Sequence, residues 1–333
     1  MDQDLRNSGN GQGEGGMSVC NLVSVSGGKD STATLLLALE RNVENIHCVF
    51  ADTGNEHDLT YAYLDYLESK LGVKIQRVKP DFSAQLERKR TSTMEKWRRD
   101  GVSEATIERA VTVLQPSGNP FLDMCMWKGR FPSSKARFCT EELKVNPITD
   151  IAVWPLLREY DTIESWQGIR WDESGARANY VEREGIEPDA GRVFAYRPIL
   201  SWSANQVFEF HKKHSVEWNP LYEKGMGRVG CMPCINARKD ELSAIASQFP
   251  EVIERLREWE YLVSQASKLG STTFFCATND PTVNADDVIS HETHGIDRMV
   301  DWSNTSRGGR QKELIASDAE EGGSCSSIYG LCE

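Results

Sequence analysis

Apolar positions along the chain fall into two alternating kinds of pattern. Val19-Cys20-Asn21-Leu22-Val23-Ser24-Val25 is a nearly continuous apolar run, which predicts a strand buried on both faces, and Thr32–Leu39 predicts the helix that follows it. Ile46–Ala51 predicts a second strand, and Asp52-Thr53-Gly54-Asn55 a turn. A helix is then expected from about His57 to Leu71, with Tyr61, Leu64, Leu67 and Leu71 on one stripe and Gly72 as its stop. Val73–Val78 reads as a third strand closed by Pro80, Ser165–Arg170 as a later strand, and Ala204–Lys213 as a later helix. Such alternation predicts the α/β class: a Rossmann-like, doubly wound, mostly parallel sheet, followed by a helical C-terminal part that carries a Cys-x-x-Cys. The expected organisation is an extension over 1–16 outside the fold, an α/β nucleotide-binding domain over 17–215, a helical Cys-x-x-Cys part over 216–270, and an extension over 271–333 that is flexible after about 303.

Charge modifies this picture only locally. The 333 residues carry 38 Lys/Arg against 50 Asp/Glu, a net charge of −12, which argues against a protein that coats nucleic acid over its whole surface. Residues 74–99 run the other way, with Lys74, Arg77, Lys79, Arg88, Lys89, Arg90, Lys96, Arg98 and Arg99 against Asp81, Glu87 and Glu95. That segment reads as a solvated helical face or as a local polyanion-binding surface. No apolar run approaches the ~18 residues of a membrane span, and no secretory signal precedes the first strand, so the expected location is the cytoplasm.

Ser26-Gly27-Gly28-Lys29-Asp30-Ser31-Thr32 stands at the first strand–helix junction. Two glycines there let backbone N–H groups approach an anion, and the helix start adds unpaired donors and partial positive charge. Ser26, Ser31 and Thr32 offer hydroxyls, Lys29 a point charge, and Asp30 a group that positions magnesium or caps the helix. Two further chemistry-bearing segments, Asp52–Glu56 and Gly168–Arg170, belong at the same carboxyl edge of a parallel sheet, where ligands sit. The histidine pairs His211/His214 and His291/His294 read as surface residues.

Ser26–Thr32 resembles the pyrophosphate-binding loop of the N-type ATP pyrophosphatases, and it lacks the four-residue spacer of a Walker A loop. Phe50-Ala51-Asp52-Thr53-Gly54-Asn55-Glu56, Gly168-Ile169-Arg170-Trp171-Asp172-Glu173-Ser174, Pro198–Ser203 and Asn219-Pro220-Leu221-Tyr222 follow in an order similar to the phosphoadenosine-phosphosulfate (PAPS) reductase-like branch of the adenine-nucleotide α-hydrolase superfamily. The resemblance covers roughly Ser18–Glu260. It implies that Ser26–Thr32 holds the phosphates of ATP, that Asp52 contacts the nucleoside and the Phe50 region flanks adenine, and that Glu56 holds magnesium or caps the next helix. It also implies a phosphate contact for Arg170; the bland alternative is an ion pair with Asp172 or Glu173.

Nine cysteines, an odd number, do not suggest a disulfide framework. Cys20, Cys48 and Cys276 read as core residues, and Cys325 and Cys332 fall in the mobile tail. Cys231-Met232-Pro233-Cys234 has the spacing at which two thiolates grip one metal or cluster, and Cys139 and Cys125 complete a four-thiolate set. Members of the resembled branch use four such cysteines for a [4Fe–4S] cluster; a structural zinc, a redox pair and unligated thiols are the competing readings. An intact loop together with four cysteines looks most like the ATP pyrophosphatases of bacterial DNA phosphorothioation (Dnd/Ssp type). That resemblance implies Mg²⁺ and ATP as ligands, DNA or another nucleic acid as acceptor, and a cysteine desulfurase and other phosphorothioation proteins as partners. The alternatives are a PAPS or adenosine-phosphosulfate reductase, a tRNA thiolation enzyme, and an ATP-sensing subunit without turnover.

Overall fold

The computed structural model describes residues 17–175, 177–186, 191–275 and 289–306. The expected extension over 1–16, Cys276, Cys325 and Cys332 lie outside them. Six strands form one sheet: β1 (Val19–Ser24), β2 (Ile46–Ala51), β3 (Ile75–Val78), β4 (Thr162–Trp166), β5 (Arg183–Gly185) and β6 (Val193–Tyr196), in the order β3-β2-β1-β4-β6-β5. All pairings are parallel except that of β5 with β6. The chain is thus an α/β protein with a doubly wound, mostly parallel sheet. The order reverses between β1 and β4, in register Val23↔Trp166, and the crevice for a ligand in such a sheet opens at that reversal.

Alternation along β1 explains how the sheet is covered on both faces. Cys20 and Leu22 pack with Val49, Ile148, Ala152 and Ile163 on one side. Val23 and Val25 pack on the other with Leu35 and Leu36 of α1 (Lys29–Glu40) and with Tyr63, Leu64 and Leu67 of α2 (Asp58–Leu71). Gly72, at φ +66°, ends α2 in a left-handed turn.

A long excursion separates β3 from β4: α3 (Ser83–Ser92), α4 (Glu104–Val113), α5 (Pro120–Lys128) and a crossover helix α6 over 138–156. Two five-residue π turns, Glu141–Val145 and Thr149–Val153, interrupt α6. Pro147 and Pro155 follow at these interruptions; each lacks an N–H and crowds the carbonyl one turn earlier, and a widened turn absorbs both defects. The longer helices that follow are α7 (Ala204–Lys213), α8 (Lys239–Gln248), α9 (Pro250–Ala266) and α10 (Ile296–Ser303). The helical part is not confined to 216–270. Phe82, Leu86, Phe121, Met124 and Leu143 from the excursion share one core with Met226, Ile245, Leu256, Trp259 and Met299.

Three boundaries differ from the sequence reading in ways that affect function. Helix α1 begins at Lys29, not Thr32, so Lys29, Asp30 and Ser31 form its first turn. β4 ends at Trp166, which leaves Gly168–Arg170 as a loop beyond the strand. Strand β3 starts at Ile75, two residues later than its apolar run. Among the described residues no helix is long and apolar enough to cross a membrane.

Candidate active site

The loop after β1 is shaped by one left-handed residue and one close approach. Gly27 has φ +82°, and a Cβ on it would stand 2.8 Å from Thr60 Cγ2, so only glycine fits. Its carbonyl accepts from Asn219 Nδ2 at 3.1 Å. Gly28 precedes α1 in extended conformation, and its N–H donates to Ser26 Oγ at 3.3 Å. Ser31 Oγ accepts from the Ser26 N–H at 3.1 Å and lies 2.9 Å from Ser26 Oγ, while the Thr32 hydroxyl donates to the Gly28 carbonyl at 2.9 Å. These hydroxyls scaffold the loop itself.

Charge is concentrated one turn further on. Asp30 is fully buried; Lys29 Nζ sits 2.6 Å from its Oδ2 and Arg170 Nε 2.6 Å from its Oδ1. Both carboxylate oxygens are therefore engaged by cations, so the carboxylate joins loop to loop and does not cap the helix. Arg170 also pairs with Asp172, and its N–H donates to Glu173 Oε2 at 2.7 Å, so the ion-pair reading of this arginine holds alongside its place at the loop. Glu173 in turn pairs with the fully buried Arg177. Gly168 brings the β4 edge this close: a Cβ there would be 2.6 Å from both Asp30 C and Ser31 N. Lys29, Arg170 and Arg177 stand here against Asp30, Asp172 and Glu173, so the side-chain charges balance and the start of α1 attracts a polyphosphate through its backbone N–H groups and helix dipole.

His211 corrects the surface reading. It is fully buried, and its Nε2 stands 2.8 Å from the Lys29 carbonyl. A carbonyl only accepts, so Nε2 carries the proton; burial also holds the imidazole pKa below its usual value, with the Lys29 carbonyl opposing. Sequence gave no signal for this contact, because it arises from α7 packing on α1.

The loop after β2 links the phosphate edge to the cysteines. Asp52 Oδ1 accepts from the Gly54 N–H at 3.1 Å and from Tyr61 OH at 2.7 Å. Phe50 corrects the adenine-flanking expectation for its side chain: the ring lies in the core, 2 % exposed and edge-on to Tyr61. Glu56 does not cap α2, whose cap is the His57 side chain. Its carboxylate accepts from the Thr53 hydroxyl at 2.6 Å and the Thr53 N–H at 3.1 Å, and Cys231 Sγ approaches it at 3.7 Å. Burial raises the Glu56 pKa, opposed by the Thr53 bond and by Lys144. Met232 N donates to the Asn55 carbonyl at 2.7 Å and Asn55 Nδ2 to the Pro233 carbonyl at 3.0 Å. Arg255 clamps both, reaching Asn55 Oδ1 at 3.1 Å and the Met232 carbonyl at 2.8 Å.

Cys125, Cys139, Cys231 and Cys234 come from α5, α6 and the Gly-rich stretch after Tyr222, and all four are free thiols. Burial pushes Cys139 up to about 11, with Lys144 lowering it and Cys234 raising it; burial pushes Cys231 up to about 12, with Lys144 lowering it and Glu56 and Cys234 raising it. Cys125 is raised well above the ordinary thiol value by burial and then by Cys139. The thiols are thus linked pairwise, Cys125 to Cys139, Cys139 to Cys234 and Cys234 to Cys231, with Lys144 acting on Cys139 and Cys231 and Arg228 beside Cys231 and Cys234. Among the described residues no three His, Cys, Asp or Glu side chains converge to hold a metal ion. The donor chemistry nevertheless fits a thiolate-held metal or cluster: four thiols from three segments, two buried and two partly buried, near two cations that would offset anionic charge. Cys20 and Cys48 lie apart in the sheet cores, as their apolar neighbours in sequence imply.

Of the basic segment, Arg77 is held by Asp65 and Glu68, Arg98 by Glu104, and Lys89 lies 5.4 Å from the Trp97 ring centre. Lys74, Lys79, Arg88, Lys96 and Arg99 are exposed.

The family model for the phosphoadenosine phosphosulfate reductase domain matches residues 21–237. The chain is 48 % identical over 328 residues to an uncharacterized 37.8 kDa protein in the gpa 5′ region of Escherichia phage 186, spanning 95 % of this chain and 97 % of that one. It is 33 % identical over 84 residues to the adenosine 5′-phosphosulfate reductase of Allochromatium vinosum, a match that spans 25 % of this chain and 32 % of the reductase. Among solved structures it is similar to the PAPS reductase of Candida auris in a phosphate complex, at 16 % identity and a TM-score of 0.40, covering 64 % of this chain and 82 % of that one.

Proposed function

The chain belongs to the phosphoadenosine phosphosulfate reductase domain family, and on that premise we propose that it is an ATP pyrophosphatase that adenylates an acceptor during sulfur incorporation. The observation that carries this reading is the intact Ser26–Thr32 loop at the sheet's reversal point, with Gly27 left-handed and Lys29, Asp30 and Arg170 locked together behind it.

Mg-ATP is the substrate. Its β- and γ-phosphates lie at the start of α1, where backbone N–H groups and the helix dipole favour negative charge. Lys29 turns from Asp30 toward the leaving pyrophosphate, Asp30 keeps Arg170 oriented, and Arg170 offsets the charge that grows on the bridging oxygen. An acceptor oxygen attacks the α-phosphorus; the α–β phosphoanhydride breaks, and AMP stays on the acceptor. Positioning and fixed charge supply the rate, and no side chain acts as nucleophile. Asp52, at the next strand end, is placed for the nucleoside.

Cys125, Cys139, Cys231 and Cys234 would hold a [4Fe–4S] cluster, which when bound supplies sulfur or electrons for exchange at the activated acceptor. Lys144 and Arg228 compensate the thiolates, and Cys231 sits at the β2 edge beside Thr53 and Glu56. The acceptor in this reading is a nucleic acid, DNA as in phosphorothioation, delivered with partner proteins. The test is product analysis with Mg-ATP alone, where water takes the place of the acceptor: pyrophosphate and AMP are expected, and orthophosphate as first product rules the reading out. A sulfonucleotide reductase is the second reading, favoured by the named reductase among the relatives; sulfite release from PAPS or adenosine phosphosulfate would establish it.

A further inference from the structure

Next to the phosphate loop, on the outer side of α7, lies an open cavity of about 460 Å³ that the proposed reaction does not use. Phe208, Trp218 and Tyr222 line it, with Phe208 5.2 Å from Trp218 and 5.9 Å from Tyr222 between ring centres, both edge-to-face. All three rings are half-buried, while Glu209, Lys212 and Glu223 on the rim are exposed.

Tyr222 is a shared wall. Its hydroxyl accepts from the Lys29 N–H at 2.9 Å, and Lys29 Nζ lies 5.5 Å from its ring centre. α7 is fixed to the same turn through His211 and the Lys29 carbonyl. Whatever occupies the cavity is therefore one tyrosine ring away from the group that holds the phosphates.

We propose that this cavity is a nucleobase site for a single-stranded polynucleotide acceptor, a reading that rests on the nucleic-acid acceptor of the proposed function. Three aromatic walls suit a flat π-system, and stacking on such walls is worth about 1–3 kcal/mol per base in strand-binding proteins. The Glu223 carboxylate, and that of Glu209, which is paired with Lys212 at 2.8 Å, disfavour a phosphate or carboxylate inside the cavity and accept from the amino and imino N–H groups of a base edge with their remaining lone pairs; the other N–H groups of Lys212 donate to its ring nitrogens or carbonyls. The volume lies in the range of sites for small organic ligands and accommodates a nucleoside. A base seated here places its own strand beside Lys29, where the acceptor oxygen must arrive.

The test uses the full chain, a short labelled oligodeoxynucleotide, its RNA counterpart, a strand with abasic sites and a strand carrying 2-aminopurine, all at one salt concentration. Binding is expected to quench 2-aminopurine by stacking. Trp218→Ala and Phe208→Ala are expected to weaken the base-bearing strand about tenfold, to leave the abasic strand and ATP affinity unchanged, and to lose the quench; Trp218→Phe restores most of it. The tighter-bound of DNA and RNA identifies the polymer. Equal binding of abasic and intact strands by the unmodified protein, an unquenched probe, or a free nucleoside monophosphate binding as tightly as the strand overturns the inference. Pyrophosphate release without base-dependent binding removes this site alone, whereas base-dependent binding without pyrophosphate release removes the ATP reading and leaves the site.

Discussion

At the scale of single residues, the loop is a set of mutual constraints in which few side chains are interchangeable. Asp30 is fully buried, so its charge is offset by Lys29 and Arg170, and theirs by it. Lys29→Ala is expected to lower pyrophosphate release about 10²-fold or more, the scale for removing one charge-stabilising group, and Arg170→Ala by a comparable factor. Asp30→Ala is expected to match them in rate, because it frees both cations from their orientation. Initial rates over a range of Mg-ATP concentrations check all three; a loss confined to KM would place these residues in binding only. Gly168→Ala tests the close approach separately. Its Cβ, 2.6 Å from Asp30 C and Ser31 N, has no flexible neighbour to push aside. The expected cost is about 1–3 kcal/mol, read as a lower denaturant midpoint together with weaker ATP binding.

At the scale of elements, the sheet edge and the cysteines form one assembly, because Asn55 and Glu56 after β2 are hydrogen-bonded to the Cys231–Cys234 stretch. Anaerobic protein is expected to carry about four iron and four sulfide per chain. Cys231→Ala, Cys234→Ala, Cys139→Ala and Cys125→Ala should each lose them, whereas Cys20→Ala and Cys48→Ala should retain them. Stoichiometric zinc without iron would move the site to the structural-zinc reading. Elements of this assembly differed in how visible they were beforehand. β1 and β2 stood out because a strand covered on both faces is a continuous apolar run, and the loop after β1 because its residue types are specific in order. β5 was invisible: Arg183-Glu184-Gly185 is an exposed antiparallel edge with no apolar residue. The excursion over 83–156 was hidden because α3 is dominated by charge and α6 carries two prolines that argue against a helix until the π turns are seen. His211 escaped notice for another reason, since a buried polar contact is decided by tertiary packing and leaves no periodic trace.

At the scale of the whole molecule, one carboxylate ties the C-terminal segments to the helical core. Glu260 of α9 is 2 % exposed; it accepts from the Phe274 N–H at 2.6 Å and the Ile296 N–H at 2.7 Å, and so joins the stretches on either side of 276–288. Burial pushes its pKa up to about 7, outweighing those two bonds and Arg257, which favour the charged form, while Asp297 adds to the rise. The folded state therefore holds a proton that the unfolded chain, at an ordinary glutamate pKa near 4.5, releases earlier. Stability from this group is complete below about pH 4.5 and is lost as pH rises through about 7, the reverse of a salt-bridged carboxylate. A shift of this size corresponds to about 3 kcal/mol. Glu260→Gln removes the titrating group, although its amide leaves one of the two N–H donors unsatisfied and lowers stability at acid pH by about 1–3 kcal/mol. The expected result is that the unmodified protein exceeds the variant in unfolding free energy most at pH 5, with the gap narrowing by pH 8. A gap that is constant with pH would show that burial does not govern this carboxylate, and that the two backbone bonds keep it ionised throughout.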